Sequence, residues 1–500
     1  MKHAFLSAIV MLAVGCGGTS DPTGDPISDG ANDQCPHNNP AVCIDDLAAL
    51  GIDHLRARQY QSELALLERP SPAPLPHADT LLARYDSDGL RVYTRIDIPR
   101  GTPPHDGFPV ILFSHGWVGI EAAPDYQFGL NSDSFYGEIV AELTRAGFAV
   151  LSPGFRGHGT VGGTPAEGHE FMQVWDNGSY LSPTFYAIDL VNLLAALPGY
   201  AALDWARHDL AAPQLDLERV NLLGHSQGGD AALTALAITG DNPNTGRFHA
   251  ASIWSGNIPD KFTQANTFGP MGASAQAFLA GDGSWNGTAT GADGRTNADF
   301  VFGFPPDWIS TPHPAQWTWQ RDSWPVATVE EALADKYRQM YDTINRYSLS
   351  IDDATFSITR DEDGRLSVQH DPRVRAGLRA VSAYPQAKHI RTPLALHFSD
   401  RDYYSLPVWN RTLQSAIANG GGEAHAFEYP GTTHSLKVSR HAWFSPAGTV
   451  PGVPCALARD TRLFTGADMA GFRCAPAQAN PAQTRQPESE QTQTKQEAHQ

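Results

Sequence analysis

The chain is short of cysteine. It has five in 500 residues, and none sits in a zinc-like spacing or a reactive motif. It is short of basic residues too: 35 Lys and Arg stand against 54 Asp and Glu, a formal net charge of -19. That balance argues against nucleic acid as a partner and against a polybasic membrane contact. It identifies no substrate, because a solvated acidic surface has the same balance. A calcium loop is incomplete as well. Asp293, Asn297 and Asp299 are acidic and amide residues in a loop, but the closing Glu is missing at the required distance. No metal and no cofactor are expected.

What is present begins at residues 1–16, M-K-H-A-F-L-S-A-I-V-M-L-A-V-G-C. One Lys precedes an apolar stretch that ends in small residues, and the stretch is too short to span a bilayer as a mature helix. This is expected to be a secretion signal. Its ending resembles a bacterial lipobox, with Cys16 lipidated and Ala13 where Leu is more usual; an ordinary cleaved signal peptide is the alternative. The expectation is an exported envelope lipoprotein, placed in the outer membrane if the cell is Gram-negative. It would touch the membrane only through that anchor, or be secreted if Cys16 is not lipidated. The remaining Cys35, Cys43, Cys455 and Cys474 allow three pairings. An exported chain favours disulfides, and local pairs, Cys35–Cys43 and Cys455–Cys474, are expected.

Residues 17–39 are rich in Gly, Asp, Pro, Ser and Asn and suit a flexible tether. Residues 40–80 are expected to form a helical segment, with leucines at helical spacing from residue 44 to 67. Residues 81–99 alternate and turn at Asp88-Gly89, the pattern of a β-hairpin. Strands are then expected at 108–117, 148–153, 220–223, 249–254, 392–399 and 424–429, alternating with helices at 135–145, 186–197 and 408–419. That rhythm implies βα units, a mainly parallel sheet flanked by helices, and chemistry at the carboxyl ends of the strands. Residues 256–388 break the rhythm and are expected to be a cap inserted into a core formed by 81–255 and 389–445. Within it, Trp308, Trp317, Trp319 and Trp324 could wall a substrate, although packing the cap's own core is the commoner role for each. A Cys-bounded segment (446–475) and a Gln-, Pro- and Glu-rich tail (476–500), expected to be disordered, follow.

The chemistry centres on V-N-L-L-G-H-S-Q-G-G-D-A, residues 220–231. A G-x-S-x-G between a strand and a helix holds the serine hydroxyl clear of the sheet on a strained turn, with helix N–H groups aimed at a developing oxyanion. A hydroxyl alone is a poor nucleophile, so a base and an acid are sought downstream. L-H-F-S-D-R-D-Y-Y-S-L-P and P-G-T-T-H-S supply them.

With F-P-V-I-L-F-S-H-G-W and A-G-F-A-V-L-S-P-G-F-R-G-H-G, these motifs resemble the α/β-hydrolase superfamily. The texture is similar to its prolyl-oligopeptidase-like and dienelactone-hydrolase-like serine esterases. The resemblance covers roughly residues 81–443. It implies Ser226 as nucleophile, His434 as general base and then acid, and Asp402 as the orienting carboxylate. Asp400 is the competitor of Asp402, because the strand ends in S-D-R-D rather than G-D-x-D. The oxyanion hole would be the backbone N–H groups of Gln227 and Trp117. His115 would brace the turn, and His115, Arg156 and His158 are possible substrate contacts unless they tie the loops down.

The leading expectation is a serine hydrolase that cleaves small-molecule or polymeric carboxylic esters through an acyl-enzyme. A serine peptidase is one alternative; about a hundred residues before the first core strand are too few for a gating β-propeller, although aminopeptidases with a cap remain open. A non-catalytic surface binding protein on the same fold is another. A nucleophilic Ser rather than Asp disfavours a dehalogenase, and no strongly apolar lid helix marks an interfacial lipase.

Overall fold

The computed structural model describes residues 42–175, 179–267, 329–360, 366–399, 405–429, 434–436 and 452–474. A nine-stranded sheet carries the site. In chain order its strands are β1 (Leu64–Glu68), β2 (Ala78–Ser87), β3 (Leu90–Pro99), β4 (Phe108–Ser114), β5 (Ala149–Pro153), β8 (Leu215–His225), β9 (Ala251–Trp254), β12 (Leu394–Ser399) and β13 (Ala424–Tyr429). Their spatial order is β1-β2-β3-β5-β4-β8-β9-β12-β13. The half from β1 to β5 is antiparallel, and every pair from β5 to β13 is parallel.

The strand sequences explain why helices cover both faces. All seven residues of β4, F-P-V-I-L-F-S, are buried. Val110 and Leu112 point into one core, and Ile111 and Phe113 into another. A period of two with apolar side chains on both faces gives the unbroken hydrophobic run typical of a parallel strand. The larger core lies under α4 (Ser182–Ala196) and α5 (Gln227–Thr239). The other lies under α2 (Phe135–Arg145) and a last helix, α10 (Gly452–Phe464). The segment 182–202 is long and apolar enough to cross a membrane, but most of it is buried inside the protein, as befits a core helix.

The hairpin β2–β3 turns where expected. Asp88 (φ 53°) and Gly89 (φ 81°) both adopt positive φ, which matches the right-handed twist of the flanking strands. The N-terminal leucines depart from expectation. Helix stops with a short 3-10 turn, Leu47–Leu50, and α1 (Ile52–Ala57). Leu64 and Leu66 instead alternate as the buried positions of β1, with Leu64 paired opposite Tyr85. Edge pairing with β2 overrides the helical spacing, as burial and partner strands commonly override local propensity.

Between β5 and α4, a two-strand turn (β6, Thr160–Val161; β7, Thr164–Pro165) and α3 (His169–Trp175) shape the loop over the sheet. Between β9 and β12 the described residues form α6 (Lys261–Thr267), α7 (Val329–Tyr347), the hairpin β10 (Phe356–Arg360) with β11 (Leu366–His370), and α8 (Pro372–Val381). The chain returns through β12 and α9 (Pro407–Asn419). Cys455 and Cys474 form a disulfide with Cα atoms 5.6 Å apart. Cys43 is also disulfide-bonded, while Cys16 and Cys35 lie outside the described residues.

Candidate active site

Strand ends converge on the site. Ser114 pairs with Gly224, His225 with Trp254, and Ser399 with Tyr429. The carboxyl ends of β4, β8, β12 and β13 therefore lie along one edge of the sheet.

The turn between β8 and α5 is strained as the motif requires. Ser226 has φ 56° and ψ -126°, a conformation that costs a non-glycine residue on the order of 1–3 kcal/mol and persists only where neighbours enforce it. They do so here. The Ser226 N–H donates to the carbonyl of Trp254 at 3.0 Å, and its carbonyl accepts from Gly229 at 2.9 Å. The flanking glycines make the approach possible. A Cβ on Gly224 would stand 2.5 Å from the Gly228 carbonyl oxygen, and one on Gly228 would stand 2.2 Å from the carbonyl oxygen of His115. Ser114 Oγ donates to the Gly228 carbonyl at 2.9 Å and closes the gap between β4 and the turn.

Against this turn stands His434. Its Nε2 lies 2.8 Å from Ser226 Oγ, and both residues are half-buried. Such a pair can move a proton off the hydroxyl as it attacks. Asp400 and Asp402 lie outside the described residues, as do Asp293, Asn297, Asp299, Trp308, Trp317, Trp319 and Trp324.

Gln227 opens α5, and its Nε2 donates to Ser182 Oγ at 3.1 Å. Trp117 follows the β4 turn with 39% of its surface exposed. The other residues near this edge face inward. His115 is buried; its Nδ1 lies 2.7 Å from the Gly116 carbonyl, and its ring stacks on Tyr126. Arg156 is 4% exposed and is held by Asp189, with Nη2 to Oδ1 at 2.7 Å and its own N–H to Oδ2 at 2.8 Å. Asp189 also accepts from Ser87 Oγ at 2.6 Å. His158 is buried beside His115 and bonds the Arg156 carbonyl at 3.0 Å. Burial lowers the imidazole pKa to about 4 in His115; burial and then the neighbouring His115 lower that of His158 to about 3. The three side chains brace the loops in this structure.

Several groups near the site escape the sequence. Tyr136, on the first turn of α2, accepts the Gly116 N–H at 2.7 Å and contacts His225 Nδ1 at 2.9 Å. Lys261 and Asp230 form a buried pair at 2.8 Å that pins α6 to α5. Burial pushes the Asp230 carboxyl up, against the opposing pull of Lys261. Asp460, from the disulfide-bounded helix, accepts from Trp254 Nε1 at 2.7 Å and bonds His397 Nε2 at 2.9 Å. None of these pairs has a spacing signal, because each joins separate elements. Gly116, His225, Asp230 and His397 stand inside the motif stretches, but nothing there marks these partners.

The family described as alpha/beta hydrolase fold matches residues 109–399, more than half of the chain. No curated protein matches. Solved structures similar to this chain include an acetyl xylan esterase from Paenibacillus sp. R4, at 14% identity and TM-score 0.39, covering 77% of this chain and 86% of that one. The acetyl xylan esterase 1 from Thermoanaerobacterium sp. JW/SL YS485 is similar at 14% identity and TM-score 0.38, with coverages of 81% and 90%. An acylaminoacyl peptidase from Pyrococcus horikoshii matches at 15% identity and TM-score 0.39, covering 80% of this chain and 44% of its own.

Proposed function

The chain belongs to the α/β-hydrolase family, and we propose that it is a serine hydrolase acting on carboxylic esters through an acyl-enzyme. The observation that carries this reading is Ser226 Oγ at 2.8 Å from His434 Nε2, on a turn strained to φ 56°. Ser226 Oγ attacks the ester carbonyl as His434 takes its proton. The tetrahedral oxygen gathers charge beside the N-terminus of α5, where the Gln227 N–H and the Trp117 N–H are assigned to receive it. The intermediate collapses, and His434 returns the proton to the leaving alcohol. Water then attacks the acyl carbon as His434 takes its proton, and His434 returns that proton to Ser226 Oγ as the acyl–oxygen bond breaks and the acid leaves. Asp402 is assigned the role of holding His434 in the tautomer that presents Nε2 to Ser226.

Esters come first because breaking an acyl–oxygen bond demands less of the acid than expelling an amine. The same pair serves amide cleavage, so peptides form the second arm of the test. The Cys455–Cys474 disulfide supports an oxidising compartment, in line with export and, through Cys16, a lipid anchor.

The test is hydrolysis of p-nitrophenyl esters from acetate to palmitate, beside peptide p-nitroanilides, by the wild type and Ser226→Ala. Ester turnover that falls by about 10⁴-fold or more in the variant is expected. Anilide turnover without ester turnover would assign a peptidase. Silence in both arms, with no labelling of Ser226 by a fluorophosphonate, would assign a binding protein.

A further inference from the structure

We propose that Tyr136 and His225 are positioning residues: they form a hydrogen-bond relay that ties the turn after β4 to the backbone of His434. The proposal rests on the serine-hydrolase reading above and names what aligns its two halves.

The turn at Gly116 and the loop of His434 leave strands β4 and β13, and three strands lie between those two. Their alignment is not set by direct strand pairing. The relay spans the gap. The Gly116 N–H donates to Tyr136 Oη at 2.7 Å. Tyr136 Oη lies 2.9 Å from His225 Nδ1, and His225 Nε2 lies 3.1 Å from the carbonyl oxygen of His434.

Chemistry fixes the direction of every bond. A carbonyl oxygen only accepts, so His225 Nε2 carries the proton. In the neutral ring Nδ1 then accepts, and the donor is the Tyr136 hydroxyl. That hydroxyl keeps a lone pair for Gly116. The relay therefore has one polarity, from the turn to the His434 backbone, and holds His225 in one tautomer.

Packing holds the parts in place. His225 is 5% exposed. The Phe135 ring meets it edge-on at 5.0 Å, and Phe113 meets Tyr136 edge-on at 5.5 Å. Gly116 leaves the space that the hydroxyl occupies, since a Cβ there would stand 2.4 Å from Tyr136 Oη. Burial strengthens such bonds and makes a broken one costly. His225 is also the residue directly before Ser226. The relay thus joins the turn, the nucleophile's own chain and the base.

The experiment is a double-mutant cycle on the full chain, read as kcat and KM for p-nitrophenyl acetate. Tyr136→Phe and His225→Leu are each expected to lower kcat by about 10–100-fold while KM stays within about twofold. The double variant should lose no more than the worse single variant, because a relay breaks only once. His225→Gln, which keeps an N–H donor at similar reach, should recover most of the loss. Losses that multiply in the double variant overturn the relay, and so do single variants that keep wild-type kcat. If the wild type cleaves nothing, the hydrolase reading fails, and the relay is then read by NMR of the ¹⁵N-histidine-labelled chain. A neutral His225 protonated at Nε2, with His434 ring signals that shift in Tyr136→Phe, supports it. His434 signals that do not move overturn it.

Discussion

Gly228 sits so close under the end of β4 that a Cβ on it would fall 2.2 Å from the carbonyl oxygen of His115. Backbone faces backbone at that point, so no side chain can swing away. Gly228→Ala must push the α5 N-terminus from the turn or shift β4. Overpacking of this kind costs about 1–3 kcal/mol or more. The expected result is a lower melting temperature together with a kcat loss of at least ~100-fold, because the oxyanion side is displaced. Wild-type kinetics in a stable Gly228→Ala protein would mean the turn tolerates a different packing.

Ester turnover is expected to separate Asp400 from Asp402. Asp402→Asn is expected to lower kcat by roughly 10⁴-fold, as the loss of an orienting carboxylate does when the wrong tautomer results. Asp400→Asn should stay within about tenfold. The reverse ranking would move the acid to Asp400. Both are read by ester turnover at saturating substrate, with circular dichroism to show that each variant folds.

Arg156 is expected to matter for stability and not for substrate affinity. Its guanidinium is paired to Asp189 inside the protein, with side-chain exposures of 5% and 0%. Removing one member of a buried pair strands the other, at a cost of about 3–5 kcal/mol. Arg156→Met should therefore unfold at a much lower denaturant concentration, while KM of the folded fraction is unchanged. Arg156→Met with Asp189→Leu should regain part of the loss. A raised KM at unchanged stability would instead put Arg156 on the substrate.

Acid should destabilise the protein through His115 and His158. Burial lowers their folded pKa values to about 4 and about 3, below the unfolded value near 6.5. The unfolded chain then binds more protons in that window, so stability rises with pH. The two contributions are complete above about pH 6.5 and fade as pH falls toward 4 and 3. By pH 5 each loses roughly 2 kcal/mol, with the sum an upper bound because the rings interact. Urea midpoints from pH 8 to pH 4 measure this. His158→Asn should flatten the profile.

The sheet was largely legible because its signals are local. The run at β4 and the Asp-Gly turn after β2 each say what they are without help from elsewhere. The helix α2 and the strand β13 fall on the residues expected of them. The turn at Ser226 was legible for a different reason: two glycines must flank a strained serine, and steric need leaves a mark in sequence. What failed was pairing across distance. Leu64 and Leu67 stand at helical spacing from the leucines before them, yet β2 claims their stretch as an edge strand. Tyr136 looks like one more aromatic at a helix start, and nothing near it announces Gly116 or His225. Asp460 lies in a segment set off only by its cysteines, and its partners are Trp254 and His397.

Ser226 and His434 stand 208 positions apart. A ribosome adds about 5–20 residues each second, so the serine exists for roughly 10–40 seconds before the histidine is made. Asp460 comes later still. A polypeptide that stops before residue 434 thus holds the hydroxyl but not its partner, and the pair marks a chain synthesised at least that far.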